Sequence, residues 1–308
     1  MKLLLLVNAS ASSVTPRARV VIQKALAADH DVSFVETSRR GHASRLAQGA
    51  AADGLDGVVV LGGDGTLNEA ANGLAGSTTA LGVLPGGSTN VFARTIGITN
   101  DPIEATGELL AALSRSSIRR IGLGSVNGRY FLFHVGIGFD AAVVEQVERR
   151  AALKRYAGHP LFVYAAFVTW FRHYDRSRPR FAVHLGPPSG AVIDDGYFAL
   201  CLKTNPYTFL GNRPLDVAPE AGFDTGLSFL TFRTLAAMPL LKVVLSALRG
   251  RGGRRLGQYR RVAYATDLNE ATVTGFGPFP YQVDGDYLGE AERLEFRYEP
   301  DALSLVVP

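Results

Sequence analysis

The stretch Val58-Val59-Val60-Leu61-Gly62-Gly63-Asp64-Gly65-Thr66-Leu67 decides how this chain is read. Four consecutive apolar residues suit a strand buried on both faces of a sheet. The run stops at Gly62-Gly63, and residues 67–74 resume with helical spacing. Strand, glycine turn and helix in this order bring backbone N–H groups and the positive end of a helix to one point. Phosphate is the natural guest of such a turn. Asp64 would repel phosphate there unless it holds a metal or accepts a proton. The plainer alternative is a glycine turn in which Asp64 caps the helix that follows.

Outward from this point the pattern repeats. Residues 3–7 form another all-apolar strand, ending at Asn8, and Pro16 sits where helices begin. Helical spacing over 17–28, a strand over 32–36 ending at Thr37, a helix over 42–52 and a strand over 80–84 follow. The alternation predicts an α/β N-terminal domain, a parallel sheet with helices on both faces. Ligands on such sheets bind at the carboxyl ends of the strands. Asn8, Thr37, the turn from Gly62 to Thr66 and the loop Pro85-Gly86-Gly87-Ser88-Thr89-Asn90 all fall there. The second loop offers glycines, hydroxyls and an amide to a phosphate or adenine pocket, or is an ordinary capped turn.

After about residue 120 the rhythm changes. Residues 121–140 read as two short strands around an Asn127-Gly128 hairpin turn. Residues 141–176 read as helical, interrupted by Gly158 and Pro160. Short strands follow over 181–185, 197–203, 227–232, 261–265, 271–274, 280–283 and 294–298, with a last one over 302–307. The expected organisation is a nucleotide-binding domain over 1–120 and an antiparallel β-sandwich over 121–298. Residues 299–308 form a strand open to returning to the first domain.

Composition narrows the function. With 47% apolar and 19% charged residues in 308, wholesale disorder is excluded and about two domains are expected. One cysteine, Cys201, excludes an internal disulfide framework and a cysteine-based zinc site, and fits a reducing compartment. The six histidines show no metal-ligand spacing, and neither GxxxxGK[ST], a GxGxxG after the first strand, nor GxSxG occurs. The N-terminus reads as a buried strand rather than a secretion signal. The apolar stretch 235–248 is too short to span a bilayer. Net charge +4 does not call for nucleic acid but admits an anionic ligand or membrane surface. Arg249, Arg251, Arg254, Arg255, Arg260 and Arg261 crowd behind 235–248. Apolar helix and basic run together suit peripheral contact with an anionic bilayer, or are a core helix and a solvated loop. The cluster Trp170-Phe171-Arg172-His173-Tyr174 has the same two readings.

Two further turns carry chemistry. Gly136-Ile137-Gly138-Phe139-Asp140 closes a strand, with Asp140 placed to cap the next helix. Asp284-Gly285-Asp286 follows the strand 280–283 and is either a plain hairpin turn or two carboxylates serving as base and metal organiser.

Taken in order, Gly62-Gly63-Asp64-Gly65-Thr66-Leu67-Asn68-Glu69, Pro85-Gly86-Gly87-Ser88-Thr89-Asn90-Val91-Phe92-Ala93-Arg94, Gly136-Ile137-Gly138-Phe139-Asp140-Ala141 and Asp284-Gly285-Asp286 resemble the diacylglycerol kinase catalytic-domain family. The resemblance covers essentially the whole chain. It implies an N-terminal nucleotide domain related to that of NAD kinases, a C-terminal β-sandwich, and ATP in a cleft between them. It implies transfer of the γ-phosphoryl to a lipid hydroxyl, with Mg²⁺. Asn8, Thr37, Gly62, Gly63, Asp64, Gly65, Thr66, Glu69 and Ser88 match positions lining the family's nucleotide site, and Gly87 lies in the same loop as Ser88. Asp64 and the late turn match the family's proton acceptor and metal organiser.

Three departures stand out. The family's Asn-Pro after the first strand is Asn8-Ala9. Its Asp-Gly-Glu is Asp284-Gly285-Asp286, one methylene shorter. The Asp-Asp-Gly tied to a structural Mg²⁺ is Asp224-Thr225-Gly226.

The expected reaction is therefore phosphoryl transfer from ATP to a lipid alcohol such as diacylglycerol. Asp64 and Asp286 organise Mg²⁺, and the Asp284–Asp286 turn takes the acceptor proton, with Asp64 as competitor. Asp224 is a further candidate ligand. The expected setting is cytoplasmic, in peripheral contact with an anionic membrane, with a homodimer left open. The alternatives are a soluble-substrate kinase resembling NAD kinase and a non-catalytic lipid- or nucleotide-binding protein.

Overall fold

The apolar runs near the N-terminus are buried strands in a computed structural model, which describes residues 1–149, 165–166, 168–170, 174–250 and 252–308. The chain divides into two units, Met1–Leu123 with Glu299–Pro308, and Gly124–Tyr298.

In the first unit β1 (Lys2–Val7), α1 (Pro16–Asp29), β2 (Asp31–Glu36), α2 (His42–Ala52), β3 (Gly57–Gly62), α3 (Asp64–Leu74) and β4 (Ala80–Pro85) alternate. The short α4 (Val91–Thr95) and then α5 (Pro102–Ser114) follow. Thr15 caps α1 by accepting from the Ala18 N–H, with Pro16 opening the helix. Asp101 does the same for α5 ahead of Pro102. The strand order is β2-β1-β3-β4, all parallel. Ser304 and Leu305 pair in parallel with Ala80 and Leu81 of β4, so the late segment extends this sheet.

Because the chain moves outward from β1 to β2 and then crosses back to β3, right-handed crossovers put α1 on one face and α2 and α3 on the other. The packing agrees: α1 lies against α5, and α2 lies against α3. The direction of winding reverses between β1 and β3, where ligands bind doubly wound sheets. Asn8 and Gly62 stand there, and the Asn8 N–H donates to Leu61 O at 3.0 Å.

The second unit is antiparallel. β5 (Ile118–Val126) leads into it and turns back through Asn127 (φ 47°) and Gly128 (φ 81°) to β6 (Arg129–Phe131), the expected hairpin. Next come β7 (His134–Gly138), α6 (Phe139–Glu148), β8 (Phe181–Leu185), β9 (Val192–Gly196) and β10 (Phe198–Leu202). β11 (Thr208–Leu210), β12 (Arg213–Leu215), β13 (Leu227–Phe232), α7 (Ala237–Leu248), a 3₁₀ turn at Gly253–Gln258 and β14 (Val262–Leu268) follow. The long β15 (Glu270–Val283) and β16 (Asp286–Val306) complete the order.

The strands run β14-β13-β10-β7-β15. β15 pairs with β7 through Tyr281–Val283 and with β8 through Ala271–Gly275, and its ladder with β16 shifts register between Thr274 and Phe279. One strand thereby serves both layers. Val135, Ile137, Cys201 and Phe229 from one layer enclose a core with Val183, Val273, Leu294 and Phe296 from the other. Alternate residues Phe198, Leu200 and Leu202 of β10 face the opposite way, onto Val243 and Ala247 of α7.

Several expected boundaries change. Residues 271–274 and 280–283 belong to one strand, as do 294–298 and most of 302–307, because irregularities in β15 and β16 are accommodated without breaking the ladder. Of the helix expected over 141–176, α6 and helical residues at 165–166 and 168–170 are described, and 174–176 are not helical; Gly158, His159, Pro160, Phe171, Arg172 and His173 within it, and Arg251 elsewhere, lie outside the described residues.

Candidate active site

Two glycine loops meet at the carboxyl ends of β3 and β4. The Gly86 N–H donates to Gly62 O at 2.8 Å, and Ser13 clamps the second loop by donating to Gly86 O at 2.9 Å. A Cβ at Gly86 would lie 2.9 Å from the Gly62 Cα, and one at Gly87 would lie 2.9 Å from the Gly63 Cα. Only glycine permits this approach. Gly87 is further held by Asn90, whose side chain accepts from its N–H at 2.7 Å and donates to its carbonyl at 2.9 Å. The Ser88 side is exposed.

Asp64 opens α3 but does not cap it. Its two carboxylate oxygens accept the N–H groups of Val91 and Phe92, both at 3.0 Å, at the start of α4. The aspartate thus ties the first glycine loop to the element beyond the second. Gly63 precedes it in extended backbone, and Gly65 and Thr66 lie in the first turn of α3. The N–H groups of such a turn have no partners within the helix, which is what an anion uses. The Asn8 amide donates to Thr66 Oγ1 at 2.9 Å across the switch point. Thr37 N–H donates to Val7 O at 2.9 Å, at the same sheet end. Glu69 has a different task. Its carboxylate accepts from Gly41 N–H at 2.7 Å and Ala43 N–H at 3.1 Å, capping α2, whose own cap residue is a side-chain-free glycine.

In the second unit Asp284 (φ 48°) and Gly285 (φ 83°) are the two-residue turn between β15 and β16, with Val283 paired to Asp286. Asp284 is buried, and its carboxylate accepts from Leu132, Phe133 and His134 N–H at 2.7, 3.0 and 3.0 Å. That corrects the reading of Asp284 as a base: its oxygens hold the β6–β7 turn. Asp286 is the half-buried carboxylate of the pair.

A polar chain supports this hairpin. Gly285 N–H donates to Gln282 Oε1 at 2.8 Å, and Gln282 Nε2 donates to Asp140 Oδ2 at 2.8 Å. The Tyr207 hydroxyl donates to the other Asp140 oxygen. Asp140 was expected to cap α6; Gly138 occupies that position, and the carboxylate turns inward instead. Gly136 makes room, since a Cβ there would lie 1.7 Å from Asp140 Oδ2. Burial and then the Asp140 charge push the Tyr207 hydroxyl well above its usual range. His134 packs on the Tyr207 ring at 4.5 Å, and burial lowers it to about 4 against the opposing pull of Asp140. Gln282, Tyr207 and His134 were not legible as site residues. The Tyr207 and Gln282 bonds to Asp140 and the His134–Tyr207 ring contact each join residues more than sixty positions apart, and only the Gly136–Asp140 spacing hinted at the arrangement.

The metal candidates separate. Among the described residues no group of three His, Cys, Asp or Glu side chains is placed to hold an ion. Asp64 beside anion-seeking amides still fits Mg²⁺ brought with ATP, which needs only one or two carboxylates besides the phosphates. Asp224 does not fit a structural ion. It is exposed, and the neighbouring carbonyls of Gly222, Phe223 and Thr225 already accept from the Lys203 ammonium.

Residues 2–126 match the model of the diacylglycerol kinase catalytic domain. A Pseudomonas aeruginosa protein (strain UCBPP-PA14) described as "Probable lipid kinase YegS-like" is 34% identical over 99% of this chain and 94% of its own length. The chain belongs to this family of lipid kinases. The diacylglycerol kinase of Bacillus subtilis is 39% identical over 38% of this chain, a match spanning only 39% of that enzyme. A solved diacylglycerol kinase from Bacillus anthracis str. Sterne shares the fold, with TM-score 0.69 and 18% identity over 100% of this chain and 97% of that one.

Proposed function

We propose that this protein transfers the γ-phosphoryl group of ATP to a hydroxyl of diacylglycerol or a related lipid alcohol. The observation that carries the reading is the pair of interlocked glycine loops at the carboxyl ends of β3 and β4, beside the sheet's switch point, with Asp64 anchored across them. Phosphoryl transfer needs positioning and charge neutralisation more than covalent chemistry. The amides at the start of α3 receive the phosphates, and Asn8 and Thr66 fix the edge of that turn. Bound Mg²⁺ would neutralise phosphate charge beside Asp64. Asp286 takes the proton of the acceptor hydroxyl as its oxygen bonds to phosphorus and the bond to ADP breaks. The test is transfer from γ-labelled ATP to a lipid panel in mixed micelles, with NAD without lipid in parallel. Labelled lipid is expected, and Asp64→Asn is expected to retain less than a tenth of wild-type turnover while staying folded. Label on NAD alone, or an active Asp64→Asn, overturns the reading.

The same reading puts the enzyme on an anionic bilayer through α7. Val243 and Ala247 pack inward, while Met238, Leu241, Val244 and Leu245 are 64, 51, 40 and 40% exposed along the outer face. Beside the N-terminal end of α7, Arg233, Arg260 and Arg261 line a surface groove with Asp195, which pairs with Arg233. Lys242 and Arg249 are exposed on and just after the helix. An apolar face flanked by cations complements anionic headgroups over acyl chains. No helix among the described residues is long and apolar enough to cross a membrane.

A further inference from the structure

The loop ahead of β13 turns carbonyl oxygens onto a cation that the chain itself supplies. Lys203 is fully buried just past the end of β10, and its backbone N–H is fixed to Phe133 O at 2.8 Å. Its ammonium donates to Gly222 O at 2.6 Å, Thr225 O at 2.7 Å and Phe223 O at 3.3 Å. It also stands 4.7 Å from the centre of the Tyr298 ring. An ammonium has three donors and no acceptor, so three carbonyls satisfy it completely. The loop is itself stiff: Thr225 Oγ1 accepts from Gly222 N–H at 3.0 Å, and Asp267 accepts from Gly226 N–H at 2.8 Å. Burial works against the charged lysine, while Asp224 and Asp267 work for it.

Backbone carbonyls with a nearby carboxylate are the donor set a hard divalent ion uses. A metal on those oxygens would stand a few ångströms from the ammonium that already binds them, and the two cations repel each other. We infer that the Lys203 ammonium is the resident cation of the 222–225 loop, a tethered replacement for a metal ion, and that this unit holds its loop without one. The inference does not depend on the kinase reading, and its readout is thermal rather than catalytic.

The experiment is thermal unfolding of the full chain in EDTA and in Mg²⁺, for wild type, Asp224→Asn and Lys203→Met. Wild type is expected to unfold at the same temperature in both. Lys203→Met, which orphans the carbonyls, is expected to unfold about 5–15 °C lower in EDTA. A wild-type midpoint that falls in EDTA, with the fall abolished by Asp224→Asn, places a metal in the loop and overturns the inference. So does Lys203→Met unfolding at the wild-type temperature. An EDTA effect that persists in Asp224→Asn belongs to an ion elsewhere and leaves the inference standing. Where Lys203→Met fails to fold, the wild-type and Asp224→Asn comparison decides alone.

Discussion

Asp284 and Asp286 stand two positions apart on one hairpin and meet different surroundings. Asp284 receives three backbone N–H groups in a buried turn. Removing its carboxylate leaves donors with neither protein nor water, at about 1–3 kcal/mol for an unsatisfied group. Asp284→Ala is therefore expected to lose about 3 kcal/mol or more in urea unfolding. Asp286→Asn is expected to keep the wild-type midpoint and lose at least tenfold in turnover. The reverse pattern would return the base role to Asp284. His134 gives a pH dependence of definite sign. Burial lowers it to about 4, from an ordinary 6.5. Between those values the unfolded chain binds a proton that the native state refuses, so stability falls as pH drops through this window. By pH 4.5 the loss from this group is about 2.5 kcal/mol. Urea unfolding of wild type and His134→Gln at pH 7 and 4.5 checks it: the variant's acid loss should be smaller by about that amount.

At the scale of elements, α7 is the piece whose two faces are both apolar. Among the described residues, the core packs against the face that carries Val243 and Ala247. Leu241→Glu with Val244→Glu places two like charges on the outer face while leaving Val243 and Ala247 in the core. This pair is expected to weaken binding to phosphatidylglycerol vesicles at least tenfold in co-sedimentation, with the fold kept. Wild-type binding by the variant would remove α7 from the membrane contact. Elements of this kind differ in how far the amino acids announce them. The α/β alternation was legible because strand and helix periods are local and Pro16 and the glycine turns punctuate them. The Asn127-Gly128 hairpin was legible for the same reason. β11 and β12 were not, being three residues each and carrying Pro214. The glycine loops could be placed at the strand ends, but not their mutual contact. Glu69 capping α2 and Asp64 capping α4 are likewise bonds between elements distant in sequence, which no spacing rule reveals. Lys203 looks like any strand-end lysine until its carbonyl partners are known.

At the scale of the molecule, the resemblance to the family was legible because its four motifs are spread through both units. The chain's path is the less expected property. It leaves the first unit after Leu123, builds the second, and returns with Glu299–Pro308. Leu303 and Leu305 are fully buried on return, and Leu305 lies opposite Leu81 of β4. A ribosome therefore makes residues 1–123 long before it makes the strand that covers the open edge of β4. Through that interval the nascent first unit carries an unpaired parallel edge. The second half, whose residues are contiguous from Gly124 to Tyr298, is the one that can finish first.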